Sequence, residues 1–301
     1  MSADRSGLPQ HWGPYEQLFV RYDEDQQALW YHLAPRSRPC FNLDLLAELR
    51  SFQQRIRLVN QVPDGSSEPP PIRYTVLASS VPGVFNLGGD LQLFSKLIRD
   101  GDEDGLFGYA KACIDVLFPN AVNFELPMTT LTLVQGDALG GGFEAAISSN
   151  VVIAEKSAKF GLPEVLFNLI PGMGAYSFLA RRCGPDIAEK IIMSGELLTA
   201  QKMHNLGLVD EVVEDGTGEQ AVSRFIQRHR KRGNAHEAMS RIRKCINPVT
   251  YEELIRITRI WVDAALKLTS RDLRMIERLV QAQNRRAARR PVEPKKMEGL
   301  G

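Results

Sequence analysis

At 301 residues, with 44% hydrophobic and 24% charged residues, the chain has the composition of an ordinary globular protein and the length for one large domain or two small ones. A formal net charge of +1 gives no global field favouring nucleic acid, and Cys40, Cys113, Cys183 and Cys245 lack the spacing of a zinc site or a disulfide framework. No run of about eighteen apolar residues occurs and Met1–Pro9 lacks an apolar core, so no membrane insertion and no signal peptide are read, and the expected location is cytoplasmic.

In chain order, residues 1–24 read as a polar segment. Ala28–Leu33 is strand-like, and Asn42 has the position of an N-cap for an amphipathic helix to about Val59, whose apolar set Leu45, Leu46, Leu49, Phe52 and Ile56 follows helical spacing. Pro63–Pro71 is too rich in proline for helix or central strand and reads as a surface loop. Tyr74–Ala78 is a short buried-type strand. The next residues, Ser79 to Leu91, read as a glycine-bearing loop feeding helical segments at Leu91–Ile98 and Leu106–Leu117. Thr130–Val134 enters a turn with three successive glycines, where a helix should start, and Val151–Ala154 is another strand. Repetition of strand, glycine turn and helix argues an α/β core with parallel strands over residues 25–218. After a capped start at Thr199 and a last strand at Glu211–Val213, four helices are expected at Glu219–Arg230, Glu237–Cys245, Tyr251–Leu268 and Ser270–Asn284. They form a helical extension over 219–290, followed by a disordered tail at 291–301.

The chemistry concentrates in two acids twenty residues apart. Glu144 closes Gly136-Asp137-Ala138-Leu139-Gly140-Gly141-Gly142-Phe143-Glu144, and Glu164 lies in Phe160-Gly161-Leu162-Pro163-Glu164 ahead of Ile170-Pro171-Gly172-Met173-Gly174. Two carboxyls in different environments can divide acid and base roles. Successive glycines let backbone approach a ligand, and a helix starting there presents free N–H groups, which suits chemistry beside a carbonyl. Taken alone, an ordinary tight turn with a first-turn helix acid explains Glu144 about as well. There is no G-x-S-x-G elbow, no phosphate-binding loop and no dinucleotide fingerprint. His11, His32, His204, His229 and His236 show no ligand spacing, so neither a metal nor a bound cofactor is expected.

Five ordered motifs resemble the crotonase (enoyl-CoA hydratase/isomerase) superfamily over roughly residues 25 to 285. They are Val84-Phe85-Asn86-Leu87-Gly88-Gly89-Asp90, the Gly136–Glu144 turn, Phe160–Glu164, Ile170–Gly174 with Ala175 replacing a final glycine, and Leu198-Thr199-Ala200 through Gly207-Leu208-Val209-Asp210. The resemblance implies a ClpP/crotonase β-β-α spiral core, backbone N–H donors from Gly89 and Gly141 forming an oxyanion hole, and Glu144 and Glu164 as the acid–base pair. Glu164 as base at C2 and Glu144 as acid at C3 is one assignment; the reverse and a pair acting together stay open.

The segments Gly142–Ala146, Leu162–Phe167, Pro171–Phe178 and Arg256–Asp263 are similar to the diffusible signal factor synthases, a branch of that superfamily. This implies dehydration of a 3-hydroxyacyl group on acyl carrier protein to a cis-2-enoyl thioester, then hydrolysis to a free medium-chain unsaturated fatty acid for quorum sensing. The alternatives are an enoyl-CoA hydratase or isomerase acting on coenzyme A esters, and a regulatory binding protein on a crotonase scaffold. Homo-oligomers (trimers or hexamers) are expected by the same resemblance, which also allows a sensor-kinase partner. Phe143, Met173, Tyr176 and Trp261 are candidates for an acyl tunnel, with core packing the commoner role for aromatics at such spacing. Asn284–Arg290 is a basic stretch that reads as a solvated helix end attractive to an acidic carrier.

Overall fold

A computed structural model describes residues 12–61 and 71–288, with side chains through residue 281. Most of the proline-rich loop, the tail at 291–301 and the side chains of the basic stretch therefore lie outside the described residues.

The chain begins with an antiparallel pair, β1 (Leu18–Asp23) and β2 (Ala28–Leu33), so regular structure starts before residue 25. Helix α1 (Leu43–Val59) follows, capped by Asn42, whose side chain accepts the Leu45 N–H. β3 (Tyr74–Ser79) and β4 (Gly83–Asn86) precede α2 (Leu91–Asp100) and α3 (Glu103–Ala121). Next come β5 (Thr129–Val134), β6 (Gly136–Leu139) and α4 (Gly141–Ser148), then β7 (Val151–Glu155) and β8 (Lys159–Gly161). A 3-10 turn at Pro163–Phe167 leads to α5 (Ala175–Cys183), α6 (Pro185–Ser194), β9 (Leu197–Thr199), α7 (Ala200–Asn205) and β10 (Glu211–Val213). The last helices are α8 (Gly218–Arg230), α9 (Gly233–Ile246), α10 (Tyr251–Ala265) and α11 (Ser270–Ala288).

Each of three successive units places one strand in each of two sheets before its helix. β3, β5 and β7 lie parallel in the six-stranded sheet β1-β2-β3-β5-β7-β10, and β4, β6 and β8 lie parallel in the four-stranded sheet β4-β6-β8-β9. This is the β-β-α spiral that the motifs imply. The strands β4 and β6 fall where the sequence reads as glycine turn. Both are short, and their partners are remote in sequence, so local pattern does not reveal them.

The larger sheet is covered on both faces, as parallel strands require. Leu29, Tyr31, Val134, Val152 and Ala154 join the main core with α1, α3 and α4, while Trp30, Val76, Leu131, Leu133 and Ile153 pack under Ala221, Val222 and Ile226 of α8. Alternate residues therefore serve opposite cores, following the two-residue strand period. The smaller sheet stacks its turns at one end, and the site forms there.

Candidate active site

Two backbone turns meet at the carboxyl ends of β4 and β6. Gly88 has φ +94°, and a side-chain carbon there would lie 3.0 Å from the Gly141 nitrogen and 2.9 Å from the Leu139 carbonyl oxygen. Glycine is what allows this approach. Gly140 (φ +50°) turns the chain into α4, so Gly141 is the first helical residue and its N–H lies outside the helix's own hydrogen-bond ladder.

The β4–α2 loop is tied down on every side. Asn86 Oδ1 accepts the Gly88 N–H at 2.8 Å, the Gly88 carbonyl accepts the Phe41 N–H at 2.8 Å, and the Asp90 N–H donates to the Tyr109 hydroxyl at 2.6 Å. Asp90 caps α2 through its carboxylate and pairs with Arg38 at 3.0 Å. The Gly89 N–H, between these bonds, has no hydrogen-bond partner among the described residues.

Glu144 sits on the first turn of α4 and is 1% exposed. Its Oε1 accepts the Met173 and Ala175 N–H groups, each at 2.8 Å, so it seats on the N-terminus of α5. Glu164 projects from the 3-10 turn after β8, with its carboxylate against Gly140. The residue as a whole is only half-buried, yet its carboxylate lies inside, and Oε2 is buried with no partner among the described residues. Burial raises both carboxyl groups above their ordinary range; repulsion from Glu164 adds to the rise at Glu144, and the two N–H donors oppose it.

Both glutamates line one pocket, together with Gly89 and Gly141. The remaining wall is almost wholly apolar: Leu91, Phe94, Ala110, Phe167, Leu169, Met173 and Trp261. Trp261 of α10 lies across the Gly172 backbone and meets Phe94 edge-on, with ring centroids 6.0 Å apart. Two polar groups facing a long apolar wall suit a substrate with one reactive end and a hydrocarbon tail.

Of the four acyl-pocket candidates, the structure brings Met173 and Trp261 to the pocket. Phe143 is not there. It points into the core, fully buried against Phe160 with centroids 5.6 Å apart, because its place on α4 faces away from Glu144. Tyr176 is not there either: it lies on the outer face of α5, 40% exposed, and its hydroxyl donates to Glu189. Sequence reading missed Tyr109, Cys113 and Phe94, which look like members of the apolar stripes of α2 and α3. Asn86 stands in a motif, and an Asx bond to Gly88 two residues on is the signal that marks it.

The sequence family described as enoyl-CoA hydratase/isomerase matches residues 61–271. The chain belongs to the enoyl-CoA hydratase/isomerase family. Human mitochondrial methylglutaconyl-CoA hydratase is 31% identical over 159 residues, covering 53% of this chain and 45% of that protein. Crotonyl-CoA hydratase of Syntrophomonas wolfei is 28% identical over 201 residues, covering 66% and 70%. The match spans about half the length of the methylglutaconyl-CoA hydratases. Among solved structures, an enoyl-CoA hydratase from Bacillus halodurans superposes with a TM-score of 0.71 at 21% identity, covering 87% of this chain and all of that one. Pseudomonas aeruginosa DspI does so with a TM-score of 0.62 at 22% identity, covering 91% and 98%. These structures share the crotonase fold with this chain.

Proposed function

We propose that this chain is a diffusible signal factor synthase, which dehydrates a 3-hydroxyacyl group on acyl carrier protein to a cis-2-enoyl thioester and hydrolyses that thioester to a free unsaturated fatty acid. The observation that carries the reading is the presence of two buried carboxyl groups, Glu144 and Glu164, on one apolar pocket beside Gly89 and Gly141. The motif segments at Gly142–Ala146, Leu162–Phe167 and Pro171–Phe178 support the choice of branch.

The two steps form a closed proton cycle. With the thioester oxygen on the Gly89 and Gly141 N–H groups, ionised Glu164 removes the C2 proton, and charge moves onto that oxygen. The C3–O bond breaks as protonated Glu144 delivers its proton, releasing water. Glu144 is now ionised and Glu164 protonated. Glu144 takes a proton from a water attacking the thioester carbonyl, and the tetrahedral oxyanion uses the same two donors. The C–S bond breaks, and Glu164 protonates the departing thiolate, restoring both groups. A shared oxyanion hole makes the second reaction available without a second nucleophile. General acid–base steps of this kind typically contribute about 10²–10⁴-fold each.

A second reading is hydration or isomerisation of coenzyme A esters without hydrolysis, and the relatives carrying such names favour it. Purified protein supplied with 3-hydroxyacyl groups on acyl carrier protein and on coenzyme A, with products resolved by mass spectrometry, separates the two. Free 2-enoic acid is expected. Enoyl thioester without free acid supports the second reading, and absence of any turnover would leave a regulatory binding protein on this scaffold.

A further inference from the structure

Tyr109 has no role in the proton cycle, yet it is a buried polar side chain on the wall of the catalytic pocket. It comes from α3, which packs beside the glycine loop. Its hydroxyl accepts the Asp90 N–H at 2.6 Å and donates to the Phe41 carbonyl at 2.8 Å, so both of its hydrogen-bonding directions are used on backbone. Phe41 and the loop already pair through the Phe41 N–H and the Gly88 carbonyl at 2.8 Å, and through the Leu87 N–H and the Pro39 carbonyl at 2.7 Å. The phenol reinforces that pairing at its end, where Phe41 and Gly89 form a parallel bridge and the Asp90 N–H faces the Phe41 carbonyl.

The consequence falls on Gly89. The peptide units on either side of it are committed, the Gly88 carbonyl to the Phe41 N–H and the Asp90 N–H to Tyr109, and these bonds fix the peptide planes that flank the residue. Gly89 itself rests on the phenol: a side-chain carbon there would lie 3.2 Å from the Tyr109 oxygen. We propose that Tyr109 is a positioning residue, whose hydroxyl locks the Asp90 and Phe41 backbones together and so holds the Gly89 N–H toward the pocket. The phenol keeps its proton for this duty, since burial, followed by the neighbouring Cys113, raises its pKa well above the ordinary tyrosine value. The inference rests on Gly89 acting as an oxyanion donor in the proposed reaction.

The test is Tyr109→Phe, which removes one oxygen and keeps the ring in the pocket wall. Displacement of an oxyanion donor costs less than its deletion, for which about 10²–10³-fold is usual, so kcat for thioester turnover should fall about 10- to 100-fold with KM within about threefold. A variant with kcat within about twofold of wild type overturns the proposal, as does a loss confined to KM. Glu144→Gln, measured alongside, reports on the underlying reading: if it keeps wild-type turnover, the acid–base assignment fails, whatever Tyr109→Phe does. Selective 15N labelling of aspartate and glycine in the wild-type protein gives a measure that does not depend on a variant folding. The Asp90 amide should exchange with solvent at least about tenfold more slowly than the Gly89 amide, as a bonded group should beside a free one. Equal or reversed rates contradict the clamp.

Discussion

At the scale of single residues, the site is governed by carboxyl groups held away from water. Both glutamates are raised above the ordinary value of 4.5 chiefly by burial. The sign of the linked stability follows: between that value and the raised one, the folded state binds more protons than the unfolded state, so stability falls as pH rises. Their contribution is complete below the unfolded value and is lost as pH climbs through the folded one. Glu144→Gln removes this dependence, since an amide does not ionise. Melting temperatures taken from about pH 5 to about pH 9 should therefore show the variant gaining on wild type as pH increases, by at most about 1.4 kcal/mol per pH unit. A constant difference across that range would mean that Glu144 is not raised. Glycine constraints act at the same scale. A side-chain carbon on Gly142 would run into the Asn86 carbonyl, so Gly142→Ala should displace the β4 end that carries the Gly88–Gly89 turn.

At the scale of elements, the pocket depends on how α10 is fastened. Arg181 of α5 makes a two-pronged bond to Glu253 of α10, at 2.8 and 2.7 Å, and also bonds the Pro248 carbonyl at 2.7 Å. Ser177 adds a bond to the same carboxylate at 2.6 Å. α10 in turn carries Trp261 against Gly172 and Phe94. Trp261 is both core and pocket wall, so Trp261→Ala should cost about 3–5 kcal/mol of stability. It should also broaden the acyl-length profile without a clean switch, because one methylene discriminates by only about 1–3 kcal/mol. Released fatty-acid lengths and melting temperature on the same variant check both effects. An unchanged length profile would take Trp261 out of the acyl wall.

At the scale of the whole molecule, α9 stands apart: none of its residues is buried, and Met239, Ile242 and Ile246 are exposed along it. These positions follow helical spacing and make an apolar stripe, a feature that marks interaction surfaces. Family membership leads us to expect a homo-oligomer that covers it, and light scattering on Ile242→Glu should show a smaller assembly than wild type. An unchanged mass would place the interface elsewhere.

The long helices and the central strands are legible in the sequence because periodicity and capping agree there: Asn42 caps α1 and Thr199 caps α7. The short strands β4 and β6 are not, since their identity rests on pairing with each other and with β8 across the fold. The same division runs through the site. Glu144, Glu164, Gly89 and Gly141 stand in motifs, whereas Tyr109 reaches the glycine loop only through tertiary packing. Phe143 and Tyr176 show the limit of motif proximity: close in sequence to motif positions, they face the core and the surface of helices that turn every 3.6 residues.

The central claim is that one carboxyl pair performs both dehydration and hydrolysis. Its most direct test follows Glu144→Gln in two parallel time courses by mass spectrometry, one starting from a 3-hydroxyacyl thioester and the other from a synthetic cis-2-enoyl thioester. The account predicts that both reactions slow together by about 10²-fold or more while the protein stays folded. Hydrolysis of the enoyl thioester at the wild-type rate in that variant would contradict it.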